Sequence, residues 1–287
     1  MLGRVRLLAM LILVASSVGC AAIKLGYNNA DTLALFQLDS YLELGPEQEQ
    51  TIKERVNTLL AWHRSTQLPD YVAFIDKMRA KVAGPVTAGD VLEFNKQLTA
   101  RMMIAGDKAA PDIAHLALTL SPEQINNAAK KVAADSTKAR REFVREEKAT
   151  GEERVKKYAE RSESWFGKLT DEQKEIIRKS LASRPTDATW WIDERERRQR
   201  EFIALLRKIQ AERPTEEVAA RWVRSYFAHL NVPSEAERRT RAESYRRGSA
   251  ELIAQLINHA TPEQRLKLDK KLNDYAQDFR SLAGPNG

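Results

Sequence analysis

Leu120-Ser121-Pro122-Glu123-Gln124 opens the stretch that decides the fold. Behind it Ile125, Ala129, Val132, Ser136, Ala139 and Phe143 recur every three or four residues. That spacing draws one face of an α-helix with a coiled-coil-like seam. The start is written in capping chemistry. The Ser121 hydroxyl can accept from an open backbone N–H, and Pro122 at the first helical position gives up a donor that would be orphaned there. Gln124 closes a capping box, and Glu123 suits the positive end of the helix dipole. The same signature recurs at Leu44-Gly45-Pro46-Glu47-Gln48, Leu169-Thr170-Asp171-Glu172-Gln173 and Ala260-Thr261-Pro262-Glu263-Gln264. Leu44, Leu120 and Leu169 stand where a hydrophobic staple sits. The spacings between the four starts are unequal, so they read as shared capping physics and not as a solenoid repeat.

Outward from these starts, helical periods dominate. Ile52, Val56, Leu59, Leu60 and His63 share one face, as do Val72, Ile75, Met78 and Val82, and then Val91, Leu98 and Met102. Val218, Trp222, Val223 and Tyr226, then Leu252, Ile253, Leu256 and Ile257, then Leu268, Leu272, Tyr275 and Phe279 mark the last helices. No convincing period-2 strand appears. The chain has 287 residues, 43% hydrophobic and 30% charged, with only 12 Gly and 10 Pro. So few turn residues exclude all-β folds and disfavour α/β ones. The expectation is an all-α, elongated multi-helix bundle over 30–287 with roughly seven to ten helices. A subdivision near 167–185 is the fallback.

The N-terminus reads as a signal peptide over 1–19. Arg4 and Arg6 precede an apolar run from Leu7 to Ala15, and Ser16-Ser17-Val18-Gly19-Cys20 follows. The run is about half the ~20 residues that span a bilayer. Cys20 is the only cysteine, which leaves no intrachain disulfide and no cysteine metal cluster. Residues 20–29 read as a short tether, with Asn28 or Asn29 capping a helix through Leu33, Phe36 and Leu38. Removing Arg4 and Arg6 from the formal charge of +7 leaves +5. A mildly basic domain of this kind suits anionic lipid, peptidoglycan carboxylates or acidic proteins; nucleic acid is not expected.

Val18-Gly19-Cys20 resembles the lipobox of bacterial lipoproteins, with Ser17 where that motif usually has leucine. The resemblance implies a diacylglycerol and an N-acyl chain on Cys20 and no other cofactor. Ala21 after the cysteine implies the outer membrane, facing the periplasm. Tyr27-Asn28-Asn29-Ala30-Asp31, Leu44 to Gln48, Trp62-His63-Arg64, Leu68-Pro69-Asp70-Tyr71, Leu120 to Gln124 and Trp165 to Gln173 together resemble a family of Gram-negative lipoproteins classed only as a domain of unknown function. That family brings no activity with it. Leu169-Thr170-Asp171-Glu172-Gln173 is also similar to the Leu-Thr-x-x-Gln motif of Spy/CpxP-type periplasmic chaperones, small basic helical proteins that cradle unfolded clients.

No P-loop, G-x-S-x-G or paired-histidine motif appears, and His63, His115, His229 and His259 lie far apart. No metal site is expected. Trp62, His63 and Arg64 form the best candidate polar site, which Asp31, Asp39 and Asp70 would complete if the first helix packs back on the second. Arg238, Arg239, Arg241, Arg246 and Arg247 are a candidate basic patch. The charged stretches 140–161 and 193–201 read as solvated faces laced with i, i+4 pairs. Trp190-Trp191 must place one ring away from the core if both are helical. The leading expectation is a non-catalytic, lipid-anchored envelope protein that binds a protein or envelope polymer. The alternatives are a holdase and an envelope hydrolase or lipid-handling enzyme.

Overall fold

A computed structural model describes residues 19–147, 151–183, 188–231 and 235–284. Among them are twelve α-helices and no strands: α1 (Gly19–Asn28), α2 (Ala30–Leu42), α3 (Pro46–Trp62), α4 (Leu68–Val82), α5 (Ala88–Thr119), α6 (Pro122–Glu147), α7 (Gly151–Phe166), α8 (Asp171–Ala182), α9 (Ala188–Glu212), α10 (Glu216–Asn231), α11 (Ala236–Asn258) and α12 (Pro262–Ala283). A π-helical turn, His63–Gln67, joins α3 to α4. The all-α expectation is met, with more helices than the sequence pattern resolves.

The described side chains form two cores. The first takes Leu42, Ile52, Ala110, Ala114, Ile125, Leu206, Ile209 and Val223, and so joins α2, α3, the C-terminal half of α5, α6, α9 and α10. The second takes Ile75, Val82, Val86, Val155, Ile177, Leu252, Leu268 and Leu272, and so joins α4, the start of α5, α7, α8, α11 and α12. We call these lobe one and lobe two. The 32 residues of α5 run about 48 Å and serve both lobes. Of the two ends of the fallback division, Gly167 falls between α7 and α8, which pack on each other inside lobe two, and Arg184-Pro185 lies outside the described residues. The stretch from Gly19 is not a loose tether, because α1 is helical and packs on α12, with Lys24 beside Asp278.

The four Gln-bearing helix starts belong together in pairs. Gln48 and Gln124 exchange amide hydrogen bonds of 3.3 and 2.8 Å in lobe one. Gln173 and Gln264 exchange two of 2.9 Å in lobe two. The surroundings match residue for residue. Gln48 also donates to Thr119 O and Gln173 to His259 O, each the residue before the partner start. Gln124 donates to Glu43 O and Gln264 to Lys168 O. The Leu44 amide donates to Asp39 Oδ1 and the Leu169 amide to Glu163 Oε1. Lys131 lies over the Tyr41 ring and donates to Ser40 O; Lys271 lies over the Trp165 ring and donates to Ser164 O. Glu43 and Gly167 carry the left-handed turn in each copy, at φ 52° and 83°.

The two pairs of helix starts thus have matching surroundings, which unequal spacing hides. Between its two Gln starts the first half has three helices, α3 to α5, and the second has four, α8 to α11. The halves are interleaved. Helix α4 of the first half packs on α12, and α9 of the second half packs on α6. Helix α5 pairs with α10 in lobe one and α11 in lobe two. Gly106 lets α5 and α10 approach, since a Cβ there would stand 3.3 Å from the Phe227 ring. Leu98 and Met102, expected on a buried stripe, point outward. The inward face of α5 is instead Ala110, Ala114 and Ala117, all buried, with Ala117 on the side of the lobe-one cleft.

Candidate functional site

Three regions test the sequence-derived candidates. The first is the junction of α1, α3 and α4. The π turn carries His63 and Arg64, between Trp62 at the end of α3 and Tyr71 in the first turn of α4. His63 Nδ1 is 2.8 Å from the Tyr27 hydroxyl, and its ring meets the Tyr71 ring edge-on at 5.3 Å. Arg64 lies over the Tyr27 ring and donates to Asn28 Oδ1 at 2.9 Å. The carboxylates do not join them. Asp70 pairs with Arg101 at 2.7 Å, Asp39 accepts the Leu44 amide, and Asp31 sits beside Thr32. Asp70 has a cation as partner, Asp39 a backbone amide and Asp31 a hydroxyl, and none of these partners belongs to the Trp62–Arg64 cluster. The junction is an aromatic and cationic clasp that holds α1 down.

Burial holds His63 below the ordinary histidine value of 6.5. The folded state therefore resists its protonation. Stability is complete above pH 6.5 and falls as the pH drops below it, because the unfolded chain takes the proton first. We expect the melting temperature to fall between about pH 7.5 and pH 5.5, and His63→Gln to remove part of that fall. An identical pH response in both chains would show that His63 is not the titrating group.

The second region is the arginine run on α11. Arg238 is turned inward, with Nη1 3.1 Å from Glu194 Oε2 and its Nε on Glu235. Arg239 and Arg241 also have partners. Arg246 and Arg247 lie on the exposed side. The five do not make one patch. Glu194, inside a stretch expected to be solvated, is instead 1% exposed. Burial alone would raise its pKa, but hydrogen bonds from Arg197 and Arg198 win and hold it at about 2. The side chains of Trp190 and Trp191 lie outside the described residues.

The third region was not foreseen. A cleft of about 1170 Å³ opens in lobe one between the α2–α3 hairpin and α5, α6 and α9. Leu38, Val56, Ile113, Leu116 and Phe202 line it, among others. Its polar edge carries Arg55, Asp112 and His115. Arg55 bonds Asp112 at 2.8 Å, and His115 bonds Glu216 at 2.9 Å. Periodicity alone counts these apolar residues as core and cannot show that the core is incompletely filled. Among the described residues, no group of three His, Cys, Asp or Glu side chains is placed to hold a metal ion. No described helix is long and apolar enough to cross a membrane.

Fold and cleft define an all-helical, two-lobed protein with an apolar cleft in lobe one. A family model described as a family of unknown function (DUF6279) matches residues 40–217. The chain belongs to that family. No curated protein and no solved structure matches it.

Proposed function

We propose that this chain is a non-catalytic, lipid-anchored binding protein of the bacterial cell envelope. The observation that carries the binding role is the lobe-one cleft, which has the size and apolar lining of a ligand site. A nucleophile or general base needs an oriented partner within hydrogen-bond reach. His115 on the cleft edge is bonded to the Glu216 carboxylate and not to a hydroxyl or thiol. That arrangement fits recognition better than hydrolysis.

The anchor rests on the resemblance of Val18-Gly19-Cys20 to a lipobox. Its fit to the fold supports it: Cys20 is in the first turn of α1, and α1 packs on α12 and continues almost directly into α2. An acylated Cys20 would therefore be tied to both lobes by helix, without a long flexible linker. Several acyl chains on one residue give stable anchoring, where one chain gives only marginal binding. The outer membrane, facing the periplasm, is the compartment that Ala21 implies.

The test is fractionation with metabolic labelling by an alkyne palmitate analogue. The native chain is expected in the membrane fraction and labelled, and Cys20→Ala unlabelled and released. Equal membrane association of both chains would overturn the lipoprotein reading.

A further inference from the structure

The matching helix starts supply an internal reference for the cleft. Counting from the paired Gln124 and Gln264 starts, each α5–α6 residue of lobe one has a counterpart in α11–α12 of lobe two. Ala110 and Ala114 match Ala250 and Ala254, all of them buried in helix contacts. Farther along, the two stretches differ in both directions: Leu120 stands opposite Ala260, but two cleft positions carry smaller side chains in lobe one. Ala117 stands where lobe two has Ile257, and Ala128 where it has Leu268. Ile257 and Leu268 are buried core residues of lobe two. Ala117 and Ala128 both line the cleft. At these two positions alanine lines the cleft of lobe one where lobe two buries a large aliphatic side chain. A hollow apolar space forfeits the dispersion contacts of its walls unless something occupies it.

The edge differs as well. Asp112 stands where lobe two buries Leu252, and Arg55 stands where α8 carries Ser180. Lobe one thus has alanines at two positions lining the cleft and an ion pair at its rim. An apolar interior under a rim of both charges matches a molecule with a long hydrocarbon part and a polar end. We infer that the lobe-one cleft binds the acyl chain of an amphiphile, with its polar end at Arg55 and Asp112. The inference rests on the binding role above and names its ligand class. It concerns the purified chain, so it stands or falls apart from the membrane anchor.

The experiment titrates cis-parinaric acid into the full chain carrying Cys20→Ala, which removes the chain's own acylation, and follows its fluorescence. The expected result is saturable binding at one site. Ala117→Ile with Ala128→Leu transplants the lobe-two residues. It is expected to weaken binding about tenfold or more and to raise the melting temperature by about 3 °C. If the double variant does not fold, each single substitution carries the test. No saturable binding by the parent chain, or undiminished binding by the filled variants, would overturn the proposal. Competition separates the sources: palmitic acid displacing the probe better than lysophosphatidylethanolamine indicates a free fatty acid, and the reverse indicates a phospholipid. A Cys20→Ala chain that stays on membranes yet binds the probe would remove the anchor and leave this inference standing.

Discussion

Replacing Gln173 by alanine is expected to lower the unfolding free energy by about 3 kcal/mol, and the matching Gln48→Ala by about 1 kcal/mol. The chemistry of the two residues is the same, but their solvent is not. Gln173 is fully buried and Gln264 is 5% exposed, whereas Gln48 and Gln124 lie where water reaches. In lobe two the Gln173 oxygen accepts the Thr170 amide and the Gln264 side chain, and its nitrogen donates to His259 O and Gln264 Oε1. Truncation strips the buried Gln264 amide of its partner and leaves the half-buried Thr170 N–H open, and a buried group so left costs about 1–3 kcal/mol. In lobe one water can replace the lost amide. Urea denaturation of the two variants measures the difference. Equal effects at both positions would mean that burial does not set the worth of these pairs. A double-mutant cycle on Gln173 and Gln264 should show coupling of about 1 kcal/mol or more, as expected of side chains in direct contact.

The same pairs show where a sequence stops being readable. Ser121, Thr170 and Thr261 are legible as caps because capping is local: each hydroxyl accepts from the glutamine amide three residues on. Local chemistry also gives a sufficient reason for glutamine there, and so conceals its second, long-range role. The signal that could have shown the matching surroundings lies in the flanks. Asp39-Ser40-Tyr41 and Glu163-Ser164-Trp165 precede two of the starts, and Lys131 and Lys271 follow the other two at equal distance. The polar site failed for a related reason. Packing of the first helix back on the second would bring Asp39 to His63, but an amide five residues away takes that carboxylate. The cleft was illegible because hydrophobic periodicity reports which face is turned inward, not whether the inward space is full. Comparing the two halves of one chain recovers that information.

Glu194→Gln is expected to cost about 3 kcal/mol at neutral pH and to flatten the acid limb of the stability curve. Glu194 is the buried centre of a network that holds Arg197 and Arg198 of α9 and Arg238 of α11. It thereby ties a helix of lobe one to a helix of lobe two. Its carboxyl pKa moves from 4.5 to about 2 on folding, and a difference of that size is worth about 3 kcal/mol. The sign follows from the direction. The unfolded chain binds the proton more readily, so the contribution is complete above pH 4.5 and is lost as the pH falls from there toward 2. The glutamine variant has no such group to protonate. Its stability should run parallel to the native curve at neutral pH and converge on it below pH 4. Arg198 and Arg238 are partly exposed and can turn to water once the carboxylate is gone, so loss of the tie between lobes should exceed any general unfolding of α9. Hydrogen exchange along α9 and the start of α11 reads this directly. Faster exchange confined to those segments is the expected outcome, whereas unchanged exchange with unchanged acid stability would show that the network contributes nothing to joining the lobes.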